Sequence, residues 1–388
     1  MQIKAYLDNA ASTRLLPKVW EAMRPYYSKY YGNPSSHHAA GASARRAVET
    51  AREKIAHAIG AKSEELLFTG GGTEADYFAL AGTCAMAPHN RRHIIVSAIE
   101  HKAILNVVEQ LKQNGFSVTI LRPDSEGTIH AAEVADAVRR DTFLASIMMV
   151  NNEIGTIQPL KEIGAILKPR GILFHSDAVQ AFGKMPLSVQ KLGVDLLSLS
   201  AHKLHGPKGV GALFLRRGIH MKSLVPGGGQ ENGLRSGTEN VPAIVGFAKA
   251  AEIAVGDLEH SAEKAGKLRM LLEASILSRL PGSQPATASQ HRSPFISNIL
   301  FPMVDRDFLL ARLNAAGIYV TSGSACASYS PEPSHVLTAM GVSENLARNA
   351  IRFSLSSLTT KREIDHVVRT VEKIIKPFIA ESAQKGGA

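Results

Sequence analysis

The chain has little cysteine, no long apolar run and no acidic excess, and each shortage excludes something. Two cysteines in 388 residues, Cys84 and Cys326, cannot build a disulfide framework, and they show no zinc-ligand spacing with each other or with histidine. No uncharged apolar stretch approaches the roughly 20 residues that span a bilayer. The first residues, Met1-Gln-Ile-Lys-Ala-Tyr-Leu-Asp, hold no apolar signal core and no small-residue cleavage site, so a cytoplasmic protein is expected. Lys and Arg number 44 against 34 Asp and Glu, a net charge of +10. A clustered excess of that kind attracts nucleic acid or acidic partners. Here the basic pairs Arg45-Arg46, Arg91-Arg92, Arg139-Arg140 and Arg216-Arg217 are scattered, with no aromatic interleaving. They read as solvated faces, and no direct nucleic-acid binding is expected. No Gly-x-x-x-x-Gly-Lys-Ser/Thr element occurs, which disfavours a P-loop NTPase.

What is present is an ordinary globular composition, 45% apolar and 20% charged, in a chain long enough for two domains. Short apolar runs at 93–97, 117–121, 143–150, 172–176, 195–199 and 210–215 alternate with helical patterns such as Ala44, Ala47, Val48, Ala51, Ile55 and Ile59. That alternation predicts an α/β fold, a mainly parallel sheet with helices on both faces. Near residue 256 the character changes. A long helix is expected over 257–280, a loop over 281–294, strands at 295–301 and 318–321, and a helix at 305–316. A last helix repeats Ile364, Val367, Val368, Val371, Ile374, Ile375 and Phe378 on one face, and the tail from Ala380 is expected to fray. A large domain to about residue 255 and a smaller α/β domain after it follow from this.

Two side chains turn the pattern into chemistry. Lys203 follows the run Asp195-Leu-Leu-Ser-Leu-Ser, and Asp177 closes Gly171-Ile-Leu-Phe-His-Ser-Asp. A lysine and an aspartate ending two neighbouring strands suit pyridoxal phosphate. The amine forms a Schiff base with its aldehyde, and the carboxylate keeps the pyridine nitrogen protonated. Ser200 and His202 flank the lysine, and Gly206-Pro-Lys-Gly-Val-Gly lets backbone approach a ligand closely. Phe68-Thr-Gly-Gly-Gly-Thr-Glu-Ala reads either as an anion cradle or as a tight strand-to-helix turn. His101, after the 93–97 strand, faces the usual ligand crevice of an α/β sheet and suits ring stacking and proton exchange. Asn151-Asn152-Glu153 ends another strand in the same way. Arg352, in an apolar strand-like run, either pairs structurally or grips a carboxylate. Cys84 has small apolar neighbours and reads as packing. Cys326 sits in Ser322-Gly-Ser-Ala-Cys-Ala-Ser-Tyr-Ser-Pro-Glu-Pro, and a thiol in such a loop reads as a nucleophile.

Together these segments resemble the cysteine desulfurases of the NifS/IscS type, within the class V aminotransferase superfamily of fold-type I. The resemblance rests on Tyr6-Leu-Asp-Asn-Ala-Ala, Gly32-Asn-Pro-Ser-Ser, Glu100-His-Lys, Val150-Asn-Asn-Glu-Ile-Gly, His175-Ser-Asp-Ala-Val-Gln, Ser200-Ala-His-Lys, Gly227-Gly-Gly-Gln-Glu-Asn-Gly-Leu-Arg-Ser-Gly-Thr-Glu-Asn and the cysteine loop. It implies a seven-stranded, mainly parallel sheet in a large cofactor domain, residues 13–255. It also implies a small domain from 1–12 and 256–388 that carries the cysteine loop.

By position, the resemblance gives Lys203 the cofactor linkage, His101 ring stacking and proton transfer, and Asp177 the pyridine nitrogen. Asn152 and Gln180 fall on the ring substituents, and Gly72, Thr73, Ser200 and His202 on the phosphate. Thr238 falls on the phosphate of a neighbouring subunit, which implies a homodimer. Arg352 and Asn33 fall on the substrate carboxylate. The implied reaction converts L-cysteine to L-alanine and leaves the sulfur on Cys326 as a persulfide for an acceptor. That acceptor is left open among an iron–sulfur scaffold, a tRNA-thiolation enzyme and a DNA phosphorothioation enzyme. Two departures concern pocket contacts: Tyr77 stands where many relatives have Asn, and Gly70-Gly-Gly is richer in glycine than usual. Selenocysteine lyase, another class V enzyme working without Cys326, or a non-catalytic sulfur-carrier subunit are the alternatives. Lys203 intact beside Asp177 argues against the last.

Overall fold

The computed structural model describes residues 4–323 and 332–385. In chain order its strands are β1 (Ala5–Tyr6), β2 (Leu66–Thr69), β3 (His93–Ser97), β4 (Ser117–Leu121), β5 (Thr142–Ser146), β6 (Leu173–Asp177), β7 (Leu196–Ser200), β8 (Gly211–Leu215), β9 (Gln284–Pro285), β10 (Ile296–Leu300), β11 (Ile318–Tyr319) and β12 (Ala350–Ser354).

The seven strands β2 to β8 form one sheet in the order β2-β8-β7-β6-β5-β3-β4. Strands β4, β3, β5, β6 and β7 run parallel, and β8 is antiparallel to both β7 and β2. Strands β3 and β7 are fully buried, as continuous apolar runs between two helical layers must be. Alternate side chains leave on opposite faces. Ile95, Ala145, Phe174 and Leu197 join one core with Val48, Ile55, Ile244 and Phe247. Ile94, Val96, Leu144 and Leu196 join another with Phe78, Ile104 and Val108. The helices Ala39–Ala58 and Val241–Gly256 cover the first face, and Lys102–Gln113 covers the second.

A separate core gathers Leu268, Leu272 and Ile276 of the helix Leu258–Arg279 with Leu313, Phe353, Ile364 and Val371. Ala5 and Leu7 belong to it, because β1 pairs in parallel with β11. Strands β12, β10 and β9 make a three-stranded antiparallel sheet in that order.

Three local expectations change. The 143–150 run is regular strand only to Ser146: Ile147 and Met149 N–H still donate to His175 O and Asp177 O of β6, but Met148 N–H turns to Glu100 Oε1 and Val150 bridges Ile157. The 318–321 strand keeps only two residues. The last helix, Lys361–Lys385, crosses Pro377 and continues past Ala380, where fraying was expected; 378–385 is rich in residues that favour helix.

Candidate active site

The carboxyl ends of β2, β3, β5, β6 and β7 share one edge of the sheet, where α/β proteins open their ligand crevice. A cavity of about 210 Å³ lies there. Gly72, Thr73, His101, Asn152, Asp177, Gln180, Ser200, His202, Lys203 and Arg352 all line it. Thus ten residues singled out in the sequence meet in one space. Ala10, Ala11, Asp76, Met148 and Val179 complete the wall.

Each side chain has a defined setting. Lys203 Nζ donates to Ala10 O at 2.6 Å and Ala11 O at 2.7 Å. Asp177 Oδ1 accepts from Val179 N–H at 2.8 Å. Burial pushes the Asp177 carboxyl up, while His101, the Val179 amide and Lys203 oppose the shift. His101 caps the helix Lys102–Gln113, its Nδ1 accepting from Ala103 N–H at 3.1 Å. The neutral ring therefore carries its proton on Nε2. Burial holds its pKa below the usual histidine value, with Asp177 pulling the other way. Burial, then Lys203, Lys208 and Lys184, push His202 down to about 4, so it is a neutral hydrogen-bonding group.

Arg352 is 1% exposed on β12. Its Nη1 donates to Asn152 O at 2.8 Å and its Nη2 to Asp8 Oδ1 at 2.9 Å, while Nε is buried without a hydrogen-bond partner among the described residues. Below Asp177 lies a buried polar layer. His175 shares hydrogen bonds with Ser146 Oγ at 2.8 Å and Ser198 Oγ at 3.0 Å, and its Nε2 is 3.7 Å from Asp76 Oδ1. Burial raises Asp76 and Glu100 well above the usual carboxyl range, and the negative charge of Asp177 adds to both.

Two candidates lie outside this cavity. Asn33 is exposed, and its Oδ1 accepts from Ser35 N–H. Thr238 is exposed on the segment before the helix Val241–Gly256. Cys326 lies outside the described residues. The flanks of its segment do converge: Ser334 Oγ donates to Glu153 Oε2 at 2.5 Å, and a Cβ on Gly323 would stand 3.0 Å from that same oxygen. Glu153 is the neighbour of cavity-lining Asn152. Cys84 is buried, and burial pushes its thiol up to about 12, which agrees with a packing role. Sequence reasoning assigned nothing to Asp8, Ala10 or Ala11, although they stand in the quoted segment Tyr6-Leu-Asp-Asn-Ala-Ala.

The aminotransferase class-V family pattern matches residues 5–367. The chain belongs to the class-V aminotransferase family. Among members of that family, cysteine desulfurase IscS of Dictyoglomus turgidum (strain DSM 6724 / Z-1310) is 44% identical over 385 residues, 99% of this chain and 98% of that protein. A solved NifS-like protein superposes with a TM-score of 0.91 at 41% identity, covering 96% of this chain and 100% of its own. SspA in complex with cysteine superposes with a TM-score of 0.82 at 37% identity, covering 92% of this chain and 100% of that one. The seven-stranded sheet flanked by helices is that of these class-V structures, as the sequence led one to expect.

Class-V enzymes use pyridoxal phosphate, and the residues present fit it. Ser200 Oγ is buried with no hydrogen-bond partner among the described residues. A Cβ on Gly72 would come within 2.8 Å of Val179 Cγ2 and 3.5 Å of Ser200 Cβ, so the bare glycine backbone helps shape the wall beside that hydroxyl. An amine, a buried carboxylate and a neutral imidazole complete the donor set in the same cavity.

Proposed function

We propose that this class-V enzyme is a cysteine desulfurase: it takes the sulfur of L-cysteine onto Cys326 as a persulfide, releases L-alanine, and hands the sulfur to an acceptor. The observation that carries the reading is the meeting of Lys203, Asp177, His101 and Arg352 in one cavity, in a chain whose full-length relatives are cysteine desulfurases.

When bound, pyridoxal phosphate withdraws electrons from the substrate's α-carbon and so weakens its C–H bond and the neighbouring C–S bond. The chain's residues do the rest. Lys203 Nζ would hold the cofactor and supply the amine that moves the substrate's α-proton. Asp177 holds a proton on the pyridine nitrogen. His101 stacks on the ring and offers its Nε2 for proton transfer. Asn152 and Gln180 orient the ring, and Gly72, Thr73, Ser200 and His202 hold the phosphate. Arg352, with Asn33, binds the substrate carboxylate. Cys326 thiolate attacks the substrate sulfur: the S–S bond forms, the C–S bond breaks, and its electron pair stays on the carbon that becomes the alanine methyl after protonation.

The exposure of Thr238 and Asn33 away from their own cavity supports a homodimer in which Thr238 serves the partner's phosphate site. The separate cores support domains at 13–255 and at 1–12 with 256–388. No described helix is long and apolar enough to cross a membrane, which fits a cytoplasmic enzyme serving a sulfur-acceptor protein.

The test is alanine and sulfide release from L-cysteine in the presence of a thiol reductant. Wild-type protein is expected to be yellow and to yield both products. Lys203→Ala should lose the visible band and all turnover. Cys326→Ala should keep the band and still bind cysteine, yet release no sulfide. Colourless wild-type protein that takes up no pyridoxal phosphate would sink the cofactor; full turnover by Cys326→Ala would sink the persulfide.

A further inference from the structure

Lys184 is an enclosed titratable group to which the proposed reaction gives no task. It stands at the end of the turn that follows β6, its backbone N–H donating to Ala181 O at 3.0 Å. The residue as a whole is half-buried, and its ammonium is the enclosed part. Burial, then the charges of Lys203 and Arg352, push its pKa down to about 7. Charge in such a site is unfavourable unless hydrogen bonds hold it.

The bond it makes is informative. Lys184 Nζ donates to Gln180 Oε1 at 2.9 Å. In its protonated form Nζ has three donors and no acceptor, so the oxygen of the glutamine amide faces it. The amide nitrogen is thereby turned the other way, where Gln180 Nε2 donates to Ala10 O at 2.8 Å. That carbonyl also takes Lys203 Nζ. Lys184 does not line the large cavity. It lies behind it, on a smaller cavity of about 50 Å³ that it shares with Lys203, Leu204 and Asp257. A chain of contacts therefore runs from Lys184 through the Gln180 amide to the carbonyl that receives the cofactor lysine.

We propose that Lys184 is a positioning residue that locks the Gln180 amide with its nitrogen toward the cofactor cavity, so that a ring oxygen of pyridoxal phosphate meets a donor and not an acceptor. The inference rests on the cofactor reading above and adds a residue to it. Without the ammonium, only the Ala10 carbonyl, which Lys203 Nζ also occupies, still opposes a flip that would set the amide oxygen against an oxygen.

The experiment is a double-mutant cycle on apoprotein reloaded with pyridoxal phosphate, using wild type, Lys184→Met, Gln180→Ala and the double variant. Cofactor affinity and the position of the visible band are the readouts, and the melting temperature of each apoprotein checks the fold. Lys184→Met is expected to weaken cofactor binding about tenfold, the scale of one such hydrogen bond, and to shift the band. In the Gln180→Ala background the same change should add nothing, because its target is gone. Should Lys184→Met not fold, Lys184→Leu, which carries no hydrogen-bonding group, takes its place in the cycle. Wild-type affinity and band in the Lys184 variant, or losses that simply add in the double variant, overturn the positioning role alone. Wild-type protein that takes up no cofactor overturns the cofactor reading and this inference with it.

Discussion

The chemistry of the cavity depends on which atoms hold protons. His101 is fixed as the Nε2–H tautomer by a helix cap, and its depressed pKa keeps it uncharged at neutral pH. Asp76 and Glu100, raised well above their ordinary range, keep the count of negative charges beneath Asp177 low. His175 is the extreme case: complete burial pushes it down to about 3. A histidine depressed in the fold stays neutral as pH falls through 6.5, where the unfolded chain would take up a proton. Its ring is therefore expected to show no titration between pH 5 and 8 in nitrogen-detected NMR of the folded protein. A His175 ring titrating near 6.5 would mean that the polar layer is open to water. Lys203, Asp177 and His101 were legible in the sequence because each closes or follows an apolar strand run. The layer beneath was not, because Asp76, Glu100 and His175 come from three distant segments.

Among the elements, the helix Ala39–Ala58, strand β2 and the segment before the helix Val241–Gly256 are tied by one buried pair. Arg52 of the helix Ala39–Ala58 donates through both Nη atoms to the two oxygens of Glu231, each at 2.8 Å. Glu231 Oε2 also accepts from Phe68 N–H at 2.8 Å, and Arg52 Nη1 reaches Leu66 O. The clamp holds Glu231 and Asn232 in left-handed backbone, φ 49° and 56°, a conformation such residues adopt at a cost. Glu231→Ala leaves the Phe68 N–H without its partner and takes the buried carboxylate from Arg52, which keeps only Leu66 O and the more exposed Glu49. We expect a loss of about 1–3 kcal/mol, the cost of leaving a buried strand N–H without its acceptor. Calorimetry of the variant checks this; a melting temperature equal to wild type would show that the pair is replaceable by water. Strand runs and the long helices could be read from periodicity, with ends displaced by a few residues. The clamp could not, since its partners stand 163 and 179 residues apart.

For the whole molecule, the termini matter as much as the sheet. Strand β1 adds to β11, and Asp8 reaches Arg352 across 344 residues of chain. The N-terminal segment thereby supplies Ala10 and Ala11 to the cavity wall while its apolar side chains join the C-terminal core. Light scattering is expected to give twice the chain mass, because Thr238, exposed and outside the cavity of its own chain, is left to serve a partner's. A monomer that keeps full desulfurase activity would remove the reason for placing Thr238 at a partner's phosphate.

The sequence by itself determined the α/β sheet, the lysine–aspartate pair and the thiol, since strand burial and the ends of strands are written in short contiguous runs. Only the tertiary structure decided how the pocket is built around them. It brought ten expected residues to one sheet edge, left Asn33 and Thr238 outside, and set Asp8, Ala10, Asp76 and Lys184 against the site. Asp8, Ala10 and Asp76 act through contacts between segments far apart in the chain, whereas Lys184 meets Gln180 within one turn. Local spacing carries no record of such contacts, because packing of the two cores is what makes them.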